Sequence, residues 1–197
     1  MALHHRLTAL LALLVIAAAA GAAEGPGLKS GAFNPPRTAP DFSLQGSDGS
    51  ELKLSRYRGK VVALGFGYTF CPDVCPTTLV DLAAARKKLG ADGEKFQVVY
   101  VTVDPERDSV KQLRDYLAHF DPTFVGATGT PEQLAAVNKA YGILVSKKVY
   151  KGSQTAYLVH HSSFVYLIDP QGKQRALVPF GRSADDIAHD VRALLKK

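Results

Sequence analysis

A single α/β domain with a mixed central sheet and flanking helices is what this sequence predicts, on three observations. Two continuous apolar runs, Lys60–Gly67 and Phe96–Val103, read as strands buried on both faces. Segments of helical period, several with recognisable caps, separate and follow them. The chain has 197 residues, 46% of them apolar and 21% charged, which suits one core and excludes a wholly disordered chain.

The elements follow in order. Asp41–Leu44 and Glu51–Leu54 flank a Gly- and Asp-bearing turn and predict an N-terminal β-hairpin. After the first buried strand, Thr77–Leu89 places Leu79, Leu82, Ala83, Arg86 and Leu89 at helical spacing, and Gly90 ends it. The second buried strand precedes an amphipathic helix over Asp108–Phe120. Pro131–Tyr141 is a third helix, with Thr130 as its cap and Pro131 at its first position. Leu144–Tyr150 and Thr155–Val159 read as strands, as do Ser163–Ile168 and Arg175–Phe180 around the turn at Asp169-Pro170-Gln171-Gly172. Ser183 caps a last helix, Ala184–Leu195.

The folded domain is expected over 39–197. Residues 23–38, rich in Gly and Pro and without periodicity, read as a flexible linker. Residues 1–22 read as a signal peptide: His4, His5 and Arg6 precede an apolar run over Leu7–Ala20, and Ala20-Gly21-Ala22 offers a small-residue cleavage site. The run is shorter than the roughly 20 residues that span a bilayer, so cleavage is favoured over retention as an anchor, and membrane attachment is expected only if the segment is kept. No cysteine follows it to carry a lipid. The expected location is the periplasm or an equivalent exported, oxidising compartment.

A net charge of +6 is mild, and its one local cluster, Lys147, Lys148 and Lys151, lacks the interleaved aromatics of a nucleic-acid surface. No nucleic-acid partner is expected. The cluster suits a solvated face or the docking of an acidic partner.

The chain has two cysteines, too few for an iron–sulfur cluster or an all-cysteine zinc finger. They lie in Cys71-Pro72-Asp73-Val74-Cys75-Pro76, between a buried strand and a helix, where α/β sheets bind ligands. If the turn is helical, the pair shares one face with Cα atoms about 6 Å apart. That spacing permits an easily reduced disulfide or two thiolates converging on one metal ion, and a helix N-terminus favours thiolate. A plain structural disulfide would close only a short loop and stabilise little. Three residues between the cysteines, rather than two, weaken a thioredoxin-type redox site. The proline and threonine that precede the reactive cysteine of thiol peroxidases have no match here.

Of six histidines, His4 and His5 leave with the signal peptide, and His119 and His189 lie among charged helix neighbours. His160 and His161 open the strand that ends at Ile168, and since adjacent strand residues face opposite ways, only one can look toward the cysteines. Periodicity does not choose between them. Two thiolates and one imidazole form a soft set suited to Cu(I), to Cu(II) with an added oxygen ligand, or to zinc with water.

Three motifs now stand in order: Gly67-Tyr68-Thr69-Phe70-Cys71-Pro72-Asp73-Val74-Cys75-Pro76, then Val103-Asp104-Pro105-Glu106-Arg107-Asp108, then His161-Ser162 before Tyr166-Leu167-Ile168-Asp169-Pro170. Together they closely resemble the Sco/SenC family over roughly 39–195. The resemblance implies a thioredoxin-like fold and a copper site of Cys71, Cys75 and His161, with Cys71 and Cys75 also able to form a redox-active disulfide. It further implies copper delivery to, or thiol reduction at, the binuclear copper centre of a terminal oxidase. The implied partners are that oxidase's copper-receiving subunit and another copper chaperone or thiol reductant of the same compartment. No catalytic residue is expected, since the implied role is a metallochaperone's. Phe70 stands where many members carry His, His160 where many carry Asp, and Asp108-Ser109-Val110 departs from the usual Asp-Thr-Pro, with only a helix-start consequence expected. Asp73, Asp104 and His160 are the residues expected to support the ligands from behind.

Overall fold

A computed structural model describes residues 27–150 and 157–196. The expected signal peptide lies outside the described residues, and among those described no helix is long and apolar enough to cross a membrane.

An eight-stranded mixed sheet carries the domain, in the order β1-β10-β9-β4-β5-β6-β2-β3. Its parallel centre is β4 (Val61–Gly67), β5 (Phe96–Thr102) and β6 (Val125–Thr128). Every residue of β4 and β5 is buried, which is why both read as unbroken apolar runs. The expected hairpin is present as β2 (Ser43–Gly46) and β3 (Glu51–Lys53), antiparallel to each other, with β2 on β6. On the other side β9 (Val165–Ile168) runs antiparallel to β4, and β10 (Lys173–Val178) to β9.

Gly31–Thr38, which its composition assigned to the linker, forms β1 and pairs antiparallel with β10. Its pairing is interrupted between Ala32 and Arg37, around Pro35 and Pro36, which have no N–H to donate. An edge strand pairs on one side and here buries almost nothing, so it leaves no hydrophobic pattern to read. The short β6 was missed for a related reason: its sequence, Val-Gly-Ala-Thr, has too few apolar side chains for a strand signal.

The third and fourth helices match expectation. In α3 (Pro131–Tyr141) the Thr130 side chain accepts from the Gln133 N–H and Gln133 reaches back to Thr130, and in α4 (Ala184–Leu195) Ser183 accepts from the Asp186 N–H. α2 (Val110–Ala118) is shorter than expected and starts at a Ser109 cap. α1 (Val74–Leu89) starts three residues early and so takes Cys75 into its first turn.

The helices divide between the faces through β4. The bare Cα of Gly67 faces Cys75 of α1, whereas neighbouring Phe66 packs on Tyr141 of α3 with ring centroids 5.6 Å apart. Gly126, on the α1 face, lies under Leu113 and Leu117 of α2.

β7 (Val145–Val149) and β8 (Tyr157–His161) form a separate two-stranded antiparallel sheet. The expectation that His160 and His161 open the next strand is corrected: they end β8, and β9 starts at Val165.

Candidate metal centre

Beyond β4 the chain turns through Tyr68–Asp73 into α1, and this turn is tied down from below. Asp108, fully buried, accepts from the Thr69 N–H (3.1 Å), the Thr69 hydroxyl (2.6 Å) and the Thr102 hydroxyl (2.7 Å). Burial pushes its carboxyl up, and those donors act against the shift. In the sequence Asp108 reads as the end of the second family motif and the first residue of the second helix. In fact it fixes the residue two places before Cys71, a role that requires Thr69, Thr102 and Asp108 to converge from three segments.

Cys71 sits in the turn, half-buried, and Cys75 in the first turn of α1 is buried. The two are not on a common helical face, since Cys71 precedes the Asp73 cap. Both are free thiols. A hydrogen bond from the Cys75 thiol lowers Cys71 to about 4; burial opposes this, and His161 and the N–H groups of Asp73 and Cys75 assist it. Donating to Cys71 while buried pushes Cys75 far above the usual thiol range. Of the two, Cys71 is therefore the sulfur that ionises more readily.

Tyr157, Val159 and His161 alternate on the inward face of β8, while His160 points to solvent opposite Ser146. This decides between the two histidines: His161 Nε2 lies 3.3 Å from Cys75 Sγ. His161 Nδ1 is 2.8 Å from the Ser162 carbonyl oxygen, which can only accept, so Nδ1 carries a proton and Nε2 is the ring nitrogen turned toward the sulfurs. One donor atom from each of Cys71, Cys75 and His161 lies within 4.8 Å of the others, an arrangement that could hold a metal ion.

The supporting residues fare unequally. His160 is exposed and away from the cluster. The Asp73 carboxylate is exposed and makes no cap bond, so this residue acts on Cys71 through its backbone N–H. Asp104 is buried, accepts from the Tyr157 hydroxyl at 2.7 Å and pairs with Arg107. Arg107 lies over the rings of Tyr157, Phe70 and Tyr68, at 3.8, 5.0 and 5.5 Å from their centroids, and so links β8 to the cysteine turn. Tyr68 adds a second link, its hydroxyl accepting from the Val159 N–H at 3.3 Å and its ring meeting His161 edge-on.

Under the cysteines, Tyr100 of β5 is buried, and its hydroxyl lies beside Cys75 without a partner in hydrogen-bonding geometry. Burial above all, and then the nearby sulfur, keep this hydroxyl protonated well beyond the usual phenol range. A Cβ at Gly67 would clash with Tyr100 Oη and stand 2.8 Å from Cys75 Sγ, so glycine is what lets both approach. Gly67 opens the first family motif but was given no role in the sequence, and Tyr100 reads only as part of a buried strand.

The SCO1/SenC family model matches residues 31–196. Over 149 residues the chain is 38% identical to the Arabidopsis thaliana mitochondrial protein SCO1 homolog 1, covering 75% of this chain and 42% of the plant protein. It spans about half the length of the curated relatives it matches. Among solved structures, Arabidopsis thaliana ScoI with copper bound superimposes with a TM-score of 0.74 at 32% identity, over 81% of this chain and 99% of that one. Apo Sco1 from Thermus thermophilus superimposes with a TM-score of 0.76 at 35% identity, over 85% and 96%. The chain belongs to the SCO1/SenC family, and its fold is thioredoxin-like.

Proposed function

We propose that this SCO1/SenC protein is a metallochaperone that binds one copper ion through Cys71 Sγ, Cys75 Sγ and His161 Nε2. It passes the ion to the copper-receiving subunit of a terminal cytochrome oxidase, for the binuclear copper site. The observation that carries the reading is the convergence of three soft donor atoms, two sulfurs and an imidazole nitrogen, within 4.8 Å of one another. Such a set suits Cu(I) in trigonal coordination and accepts Cu(II) when an oxygen ligand joins. A similar plant ScoI is solved with copper bound. A half-buried Cys71 at the surface leaves a side open for ligand exchange with an acceptor.

The work is done in an exported compartment, to which residues 1–22 direct the chain, with membrane attachment if that segment is retained. Copper titration of the reduced mature protein tests the site. One equivalent should bind, Cys71→Ser or Cys75→Ser should abolish tight binding, and His161→Ala should weaken it at least tenfold; unchanged binding in His161→Ala rejects the third ligand.

A second reading, thiol–disulfide reduction of the oxidase's copper-ligand cysteines, is favoured by the unequal ionisation of Cys71 and Cys75. Cys71 would attack the partner disulfide and Cys75 resolve the mixed disulfide, both electrons coming from the cysteine pair. It needs no histidine. Oxidase assembly at the wild-type level in a His161→Ala strain would select this reading over copper transfer.

A further inference from the structure

Tyr100 lies beneath a sulfur of the proposed copper site. Its side chain is 4% exposed, and its hydroxyl has no hydrogen-bond partner. A buried hydroxyl without a partner costs about 1–3 kcal/mol, so its retention calls for an acceptor that arrives later. Gly67 keeps the gap open, with Tyr100 Oη and Cys75 Sγ meeting over its bare Cα. The same narrow cavity is lined by Cys75, Tyr100 and His161.

We propose that Tyr100 is a tuning residue for the metal: its hydroxyl donates to the Cys75 sulfur once that sulfur is a copper-bound thiolate. A metal takes a cysteine as its thiolate, so coordination leaves negative charge on a buried sulfur, the strong acceptor that the orphaned O–H faces. A hydrogen bond to a ligating thiolate lowers its electron donation to the metal, which favours Cu(I) over Cu(II) and raises the energy of thiolate-to-Cu(II) charge transfer.

The inference rests on the copper reading, and the Tyr100→Phe variant of the mature protein separates the two. The expected result has opposite signs in the two states. Without metal the variant is as stable as wild type or more so, because an unpartnered polar atom has gone. With copper, the metal-induced rise in Tm is smaller than in wild type, the Cu(II)–thiolate band moves to longer wavelength, and the reduction potential falls. An unchanged band together with an unchanged copper-induced rise overturns the proposal while leaving the copper site intact. So does a large loss of metal-free stability or failure to fold, since either would show that the hydroxyl already has a structural partner. If wild type itself shows no copper band and no copper-induced rise in Tm, the copper reading fails, and this inference with it.

Discussion

The two segments that supply the candidate ligands are held in different ways. The cysteine turn grows out of the central sheet: it follows the fully buried β4, is bound through Thr69 to buried Asp108, and enters a sixteen-residue helix. The β7–β8 hairpin that brings His161 forms its own two-stranded sheet, with β7 exposed along its whole length. It meets the turn through few side chains, chiefly Tyr157 on Asp104, Val159 on Tyr68 and the Arg107 stack. The sulfurs are therefore set by the central sheet and its first helix, whereas the imidazole is set by a separate two-stranded sheet whose Tyr157 and Val159 pack on that core. A centre built this way can hold two ligands fixed and exchange the third, which suits transfer of an ion.

The difference can be broken in graded steps. Asp108→Ala has the largest expected effect: it leaves the Thr69 amide and two hydroxyls without their acceptor and should cost about 3 kcal/mol in chemical denaturation. Gly67→Ala follows at about 2 kcal/mol, because the new methyl must displace Tyr100 or Cys75, and copper binding should fall with it. Tyr157→Phe should cost only about 1 kcal/mol, and copper binding should weaken no further than in His161→Ala. If Tyr157→Phe disturbs the cysteines as strongly as Asp108→Ala, measured by thiol alkylation, the two segments are not held separately.

The thiols offer a finer test. Because Cys71 is lowered to about 4, its thiolate exists above that pH and is lost as pH falls through it. Mass-mapped alkylation should modify Cys71 before Cys75 at every pH above about 5, and equal rates would contradict the readier ionisation of Cys71. The smallest effect belongs to His160→Ala, which faces solvent and should leave copper binding within twofold and stability within about 0.5 kcal/mol.

What could be read in the sequence tracks how local each determinant is. The caps at Thr130 and Ser183 act over three residues, and both helices lie where they were expected. β4 and β5 were legible because both faces are buried, so each carries an unbroken apolar run. β1 was read as linker because an exposed strand containing two prolines is held mainly by backbone pairing, with Phe33 stacked on Tyr166, and shows no alternating pattern. Asp108 looked like a helix-start residue because its partners Thr69 and Thr102 come from other segments.

By itself the sequence determined the fold class, the cysteine spacing, and the demand for a third donor from the His160-His161 pair, because residue type and short-range periodicity set these. The family resemblance had already pointed to His161; tertiary structure showed that it faces inward, 86 residues from the cysteine it touches, and that Gly67 leaves room for Tyr100 beneath Cys75. The physical reason is that a side chain's direction depends on strand register, and a close approach depends on the neighbour across the sheet. Neither leaves a trace in the order of residues along one segment.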